Sequence, residues 1–134
     1  MNEIEYKIKP ELSDRELNEL FSSAWENYSE RKFQSVLEKS LTYVSAFDGS
    51  CLVGFVNVAW DGGIHGFILD TTVHPEFQHR GIGSELMKRA ARISAERGIE
   101  WLHVDYESHL DAFYVGCGFR KTVAGLLNLR VKTT

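Results

Sequence analysis

The chain changes its apolar period several times, and each change marks an element. Ile4, Tyr6 and Ile8 alternate with polar neighbours, the two-residue repeat of a strand with one buried face. Ser13-Asp14-Arg15-Glu16 has the spacing of a capping box, in which the serine hydroxyl and the glutamate carboxylate each satisfy a free amide at a helix start. Leu17, Leu20, Phe21, Ala24 and Trp25 follow at helical spacing. A second helix is expected from about Glu30 to Ser40, with Phe33, Val36, Leu37 and Leu41 on one side.

From Thr42 the pattern turns to β-branched and aromatic residues. Thr42 to Phe47 and Cys51 to Trp60 flank Asp48-Gly49, a tight hairpin signal in which both turn positions are expected to have positive φ. Asp61-Gly62-Gly63 supplies the next turn, and His65 to Val73 reads as a third adjacent strand. Ile82, Leu86, Ala90 and Ile93 form a helical stripe, with Glu85, Lys88, Arg89, Arg92 and Glu96 facing water and Gly98 as the stop. Ile99 to Tyr106 is a further strand, Asp111 to Cys117 a short helix closed by Gly118, and Leu126 to Lys132 alternates as a terminal strand. The order predicts a mixed sheet with helices on its faces. No repeat, low-complexity stretch or linker interrupts it, so residues 1–134 read as one domain.

Composition narrows the partners. Hydrophobic residues at 43% and charged residues at 25% are the mix of a globular domain. A net charge of -4 offers little phosphate neutralisation and argues against a nucleic-acid partner. Cys51 and Cys117 make neither a disulfide framework nor a metal spacing, no His/Cys cluster points to a metal, and both thiols are expected to be reduced and buried. The first residues lack the apolar core of a signal peptide, and no stretch is long and apolar enough to cross a bilayer. A cytoplasmic protein with no membrane partner is the expectation.

The candidate chemistry lies between the third strand of the hairpin series and the long helix. Val73-His74-Pro75 ends the strand, because proline cannot donate to a ladder, and Glu76-Phe77 turns the chain. Gln78-His79-Arg80-Gly81-Ile82-Gly83-Ser84 then opens the helix. Glycine lets ligand oxygens approach the backbone, the first helical amides have no intrahelical partner, and the helix dipole favours negative charge. A pyrophosphate is the natural occupant, with Arg80 adding a positive side chain. The pattern G-x-G, without a third glycine and without a βαβ repeat, does not fit a dinucleotide-binding fold, and Glu76 and Glu85 are not in P-loop context.

Gln78-His79-Arg80-Gly81-Ile82-Gly83 fits Q-x-x-G-x-G, the acetyl-CoA loop of the GNAT N-acetyltransferase superfamily, which this chain resembles over nearly its whole length. Asp111-Ala112-Phe113-Tyr114-Val115-Gly116-Cys117-Gly118-Phe119 resembles the same family's FYxxxGF segment. The resemblance implies an α/β (α+β) acyl-CoA N-acyltransferase fold with a mixed, mostly antiparallel six- to seven-stranded sheet and helices on both faces. It implies acetyl-CoA as cosubstrate, bound by Thr72, Val73, Gln78, His79, Arg80, Gly81, Ile82, Gly83 and Ser84, with direct transfer to a primary amine. The pantetheine arm pairs with backbone near Thr72 and Val73 in a splay of the sheet, and an amide near Val73 receives the thioester oxygen.

Tyr114 falls on the family tyrosine whose hydroxyl protonates the departing thiolate, and a phenol is a donor at neutral pH. Glu107 stands where many relatives place an asparagine near the pantetheine arm. The amine must lose a proton, and Asp70, Asp105, Glu107, His65, His103 and His109 are candidate bases; Asp70, mid-strand among apolar residues, is either paired or functional. A cluster of Asp70, Asp105 and Glu107 would suit a cationic amine. Relatives carry a bulge in the central strand, so strand parity does not settle which face each residue takes. Trp25, Tyr28, Phe33 and Trp60 lie in segments that wall the acceptor pocket in relatives, and Trp60-Asp61-Gly62-Gly63 reads as its rim. The acceptor class implied is a small-molecule amine, with a protein N-terminus or lysine as the alternative and a non-catalytic coenzyme A sensor as the competing class. Leu127, Leu129 and Val131 in the terminal strand would support a homodimer through sheet edges.

Overall fold

The computed structural model describes residues 3–131. The chain divides into two compact units, Met1–Val104 and Asp105–Thr134.

The first unit holds a five-stranded sheet in the order β1-β2-β3-β4-β5. The strands are β1 (Ile4–Ile8), β2 (Thr42–Asp48), β3 (Cys51–Trp60), β4 (His65–Val73) and β5 (Trp101–His103). Neighbours β1 to β4 pair antiparallel, and β4 with β5 parallel. The helices of this unit are α1 (Asp14–Ala24), α2 (Gln34–Lys39) and α3 (Ile82–Glu96). The sheet is mixed and mostly antiparallel, as expected, but has five strands among the described residues rather than six or seven. Residues 126–131 are not a strand, and Leu126, Leu127, Leu129 and Val131 are exposed; Lys132 lies outside the described residues. Alternation alone does not make a strand where no ladder is there to satisfy its amides.

The two faces carry different helices. Leu17, Leu20 and Phe21 of α1, with Phe33 and Leu37, pack on Tyr43, Phe47, Leu52 and Phe55 of the β2–β3 hairpin. Leu86 and Ile82 of α3 meet the opposite face at Gly54, where an added Cβ would lie 3.0 Å from Leu86 Cδ1 and 3.2 Å from Ile82 Cγ2. Gly54 therefore sets how closely α3 approaches the sheet. Helix α3 ends as read: Gly98, just past its last turn, has φ +89°.

Ser13 forms the expected capping box with Glu16. Helix α2 begins later than the sequence implies, at Gln34 rather than Glu30, because the preceding residues are held by α1. The Asp14 carboxylate accepts from the Phe33 amide and from Gln34 Nε2, both at 3.0 Å. Strand β5 is three residues, not eight, since the chain pairs with β4 only over His65–Phe67. Two surface assignments also change. Glu85 and Arg89 are half-buried rather than solvated, with the guanidinium 4.6 Å over the Tyr6 ring and 2.9 Å from Glu85 Oε2. Cys51 is exposed, at the hairpin end, and Cys117 half-buried.

The second unit holds α4 (Asp111–Gly116), with Cys117 at its cap and Gly118 at φ +101°. Among the described residues, no helix is long and apolar enough to cross a membrane.

Two outcomes test this packing. Gly54→Val should destabilise by about 1–3 kcal/mol through overpacking under α3, read from the urea midpoint. The hydrogen bonds from Gln34 and then Phe33 hold the Asp14 carboxyl below its ordinary value. Its folded pKa lies below its unfolded one, so its stabilisation is present above the ordinary carboxylate range and lost as pH falls through it. Asp14→Ala should therefore open a gap in urea midpoint at about pH 6 that closes toward about pH 3; a gap independent of pH would refute it.

Candidate active site

Strand β4 is built to change partners along its length. Its first three residues pair with β5, and beyond Phe67 no strand lies on that side among the described residues. On its other side β4 stays paired with β3 up to Val73, with the register shifted between Phe55 and Asn57. Asp70 sits in that irregularity with φ +58°, left-handed backbone that a non-glycine residue rarely takes. The result is that the main-chain groups between Ile68 and Val73 that point away from β3 meet no further strand among the described residues.

This free edge runs directly into the glycine turn. His74 donates its amide to Val53 O at 2.8 Å, its Nδ1 accepts from the Glu76 amide at 3.1 Å, and Pro75–Phe77 forms a 3-10 turn. Gln78 Nε2 donates back to Val73 O at 3.1 Å, closing the loop on the strand end. His79 and Gly81 both have left-handed backbone, at φ 64° and 79°. Gly81 is the N-cap of α3, with no side chain capping it. The first intrahelical bond runs from Glu85 N to Gly81 O, 3.0 Å, so the amides of Ile82, Gly83 and Ser84 precede the ladder and have no acceptor in it. Left-handed residues alternating with ordinary ones make an anion-binding nest, and the dipole of a 15-residue helix adds to it. Arg80 lies exposed beside it, its guanidinium 5.0 Å over the Phe77 ring. Among the described residues no group of three or more His, Cys, Asp or Glu could hold a metal.

On the α1 side, side chains tie the α1–α2 connection to the bulge. Trp25 Nε1 donates to Thr72 Oγ1 at 3.0 Å, and that hydroxyl donates to Asp70 O at 3.1 Å. Thr72 is 4% exposed and is the partner of Phe55 in the β3–β4 ladder, so both its side chain and its pairing are occupied structurally. Arg31 Nη1 and Nη2 reach the two Asp70 oxygens at 3.3 and 3.4 Å. Asn18 secures the same connection: its Oδ1 accepts from the Tyr28 hydroxyl and the Arg31 amide, and its Nδ2 donates to Asp14 O and Arg31 O. Burial raises the Tyr28 phenol above its ordinary pKa. Asp70 is thus paired, the first of the two alternatives its apolar surroundings allowed.

The predicted residues divide between the units. Asp70, Thr72, Val73 and Gln78 to Ser84 are consecutive along one path in the first unit. Asp105, Glu107 and Tyr114 belong to the second. There Tyr114 is 6% exposed and stacks on Tyr106, ring centroids 4.5 Å apart, with Phe113 and Phe119 edge-on. Tyr106 donates to Asp111 Oδ1 at 2.8 Å, which holds its hydroxyl protonated above the ordinary value. Glu107 is exposed, 3.6 Å from His109 Nδ1. His65 Nδ1 and His103 Nε2 lie 2.8 Å apart across β4 and β5, with the His103 ring stacked on Phe67. The sequence reading missed Arg31 and Asn18; the only signal was that Asp70 needed a partner, and that partner is 39 residues away.

The ycf52-like N-acetyltransferase of Prochlorococcus marinus is 29% identical over 109 residues, covering 78% of this chain; the chain spans only 61% of that protein's length. The ycf52 N-acetyltransferase of Porphyra purpurea is 29% identical over 116 residues, 83% of this chain and 67% of that one. Among solved structures, a GNAT family acetyltransferase of Streptococcus pneumoniae TIGR4 superposes with a TM-score of 0.76 at 26% identity, covering 95% of this chain and 99% of that one. An acetyltransferase of Trypanosoma brucei shares the fold, with a TM-score of 0.75 at 20% identity over 95% of this chain and all (100%) of its own. The profile of the Acetyltransferase (GNAT) family matches residues 10–119, with the free strand edge and the glycine nest both inside the match, and the chain belongs to that family.

Proposed function

We propose that the protein is an N-acetyltransferase that moves the acetyl group of acetyl-CoA directly to a primary amine of a small molecule. The observation that carries this reading is the continuity of the unpaired β4 edge with the amide nest at Gln78–Ser84. An acyl-coenzyme A carries a pyrophosphate followed by an arm with two amides. The nest offers backbone donors to the first, and the edge from Ile68 to Val73 offers a ladder to the second. A nucleotide without that arm would leave the edge unused.

The thioester supplies the acyl group. The backbone around Val73 offers an amide to the carbonyl oxygen as negative charge develops there. The incoming ammonium first loses one proton to a base or through water, and the amine nitrogen attacks the carbonyl carbon. As the C–S bond breaks, the sulfur takes the proton of the Tyr114 hydroxyl, as the family motif implies, and the second nitrogen proton leaves through water and restores the phenol. Asp70 is held by Arg31, so its carboxylate shares its charge with a guanidinium instead of standing bare, and the reading of a purely anionic, polycation-seeking site loses that member.

Acetyl-CoA at about a hundred times its Kd should stabilise the protein by roughly 2.7 kcal/mol, a shift in Tm of several degrees that NAD and ATP do not match. Gly81→Ala should cost about 1–2 kcal/mol of stability from its left-handed backbone and shrink that shift. Tyr114→Phe should lower kcat by about 10²-fold or more while the KM for acetyl-CoA stays near wild type. A Tyr114→Phe protein that binds coenzyme and turns over normally would remove the phenol from the mechanism. Binding without turnover on any amine would favour a coenzyme A sensor.

A further inference from the structure

Arg31 is an unusual residue to find at the bulge of β4. Its backbone is gripped at both ends by Asn18. Its guanidinium lies 4.8 Å over the Phe33 ring and 5.7 Å from that of Phe21, so its position is set before anything binds. Yet its pairing with Asp70 is loose: 3.3 and 3.4 Å, against about 2.7–2.9 Å for a strong charge-assisted bond. The Arg31 side chain is 36% exposed and Asp70 only 17%. Two N–H groups face Asp70, and no other described side chain takes the remaining three. The guanidinium therefore keeps donor capacity beyond what Asp70 takes.

We propose that Arg31 is an anion anchor in the acceptor subsite, so that the acceptor amine carries its own carboxylate or phosphate. The inference rests on the acetyltransferase reading, which lays the coenzyme arm along the β4 edge that contains the bulge and so brings the acceptor to that edge. Asp70 neutralises Arg31 while the subsite is empty and retains lone pairs that can receive an ammonium. The pair thus presents one positive and one negative group to a ligand that has both. A polycation would match only Asp70 and would meet the guanidinium as a like charge. Tyr28, which feels both charges of this pair, is held protonated by burial and adds no charge.

The experiment measures thiol release from acetyl-CoA with matched amines: 3-aminopropionate and its amide, aminoethyl phosphate and ethanolamine, and 1,4-diaminobutane. The anionic member of at least one pair should exceed its neutral counterpart by about 10-fold or more in kcat/KM, the size of one charge-assisted contact. Whichever pair gives the larger ratio tells carboxylate from phosphate. Arg31→Gln should collapse that ratio through KM. Because this variant leaves Asp70 without its partner, the double variant Arg31→Gln/Asp70→Asn is measured beside it and should show the same collapse. In parallel, the anionic amines should raise the Tm of wild-type protein saturated with coenzyme A, and not that of either variant. A ratio near one, a ratio that survives Arg31→Gln, a preference for the diamine, or no response to any amine in either readout overturns the anchor. Turnover of neutral or cationic amines alone overturns it and leaves the acetyltransferase reading standing; no acetyl-CoA shift and no thiol release removes both.

Discussion

An aspartate in left-handed backbone, most of the way into a sheet, is unfavourable on two counts, and the Arg31–Asp70 pair is what makes it tolerable. The backbone at φ +58° costs on the order of 1–3 kcal/mol, and a partly buried carboxylate adds a desolvation cost unless a cation faces it. Arg31 supplies that cation from the connection between α1 and α2. The bulge then adds local twist to β4 at the point where β5 stops pairing with it. The free edge, its junction with the glycine nest, and the latch of Trp25 on Thr72 all sit downstream of this one arrangement. Loss of the bulge would restore simple alternation to β4 and remove the register shift against β3 that its path requires.

The elements that local chemistry dictates were legible. The Ser13 capping box, the β2–β3 hairpin and the α3 stripe each rest on residues close together in sequence. The box and the stripe stand where the pattern put them, and the hairpin turns one residue later, at Gly49-Ser50, with positive φ at Gly49 and not at Asp48. The failures share a cause: they depend on partners far along the chain. Residues 30–33 have a helical pattern, but Asp14 and Asn18 hold the backbone there in another conformation. The segment after Ile99 has strand character over eight residues and finds a partner for three. Leu126 to Val131 alternate correctly and form no ladder. Glu85 and Arg89 look like solvated charges, yet the Tyr6 ring, more than 75 residues earlier, covers the guanidinium. In the candidate site the nest could be read because it is made of backbone and glycine. Arg31 could not, because a lone arginine in a polar stretch announces nothing about which carboxylate it will meet.

These two kinds of recognition divide the proposed chemistry. The nest and the β4 edge act through main-chain groups, so they demand only that the backbone take the right path: a left-handed glycine at 81, and α3 seated closely enough on Gly54 to bring its N-terminus to the strand end. In the proposed function such a surface serves what every acyl-coenzyme A shares and is indifferent to most side-chain changes. Discrimination among acceptors cannot come from there. It has to come from side chains presented by α1 and the α1–α2 connection, where the side chains of Trp25, Tyr28 and Arg31 are held by hydrogen bonds to β4 and Asn18. Apart from the latch of Trp25 on Thr72, that connection is free to differ in composition without disturbing the proposed coenzyme site, with one restriction. Whatever replaces Arg31 must still offset the charge of Asp70, or Asp70 must change with it, so the specificity of the acceptor subsite and the stability of the bulge are bound to the same ion pair.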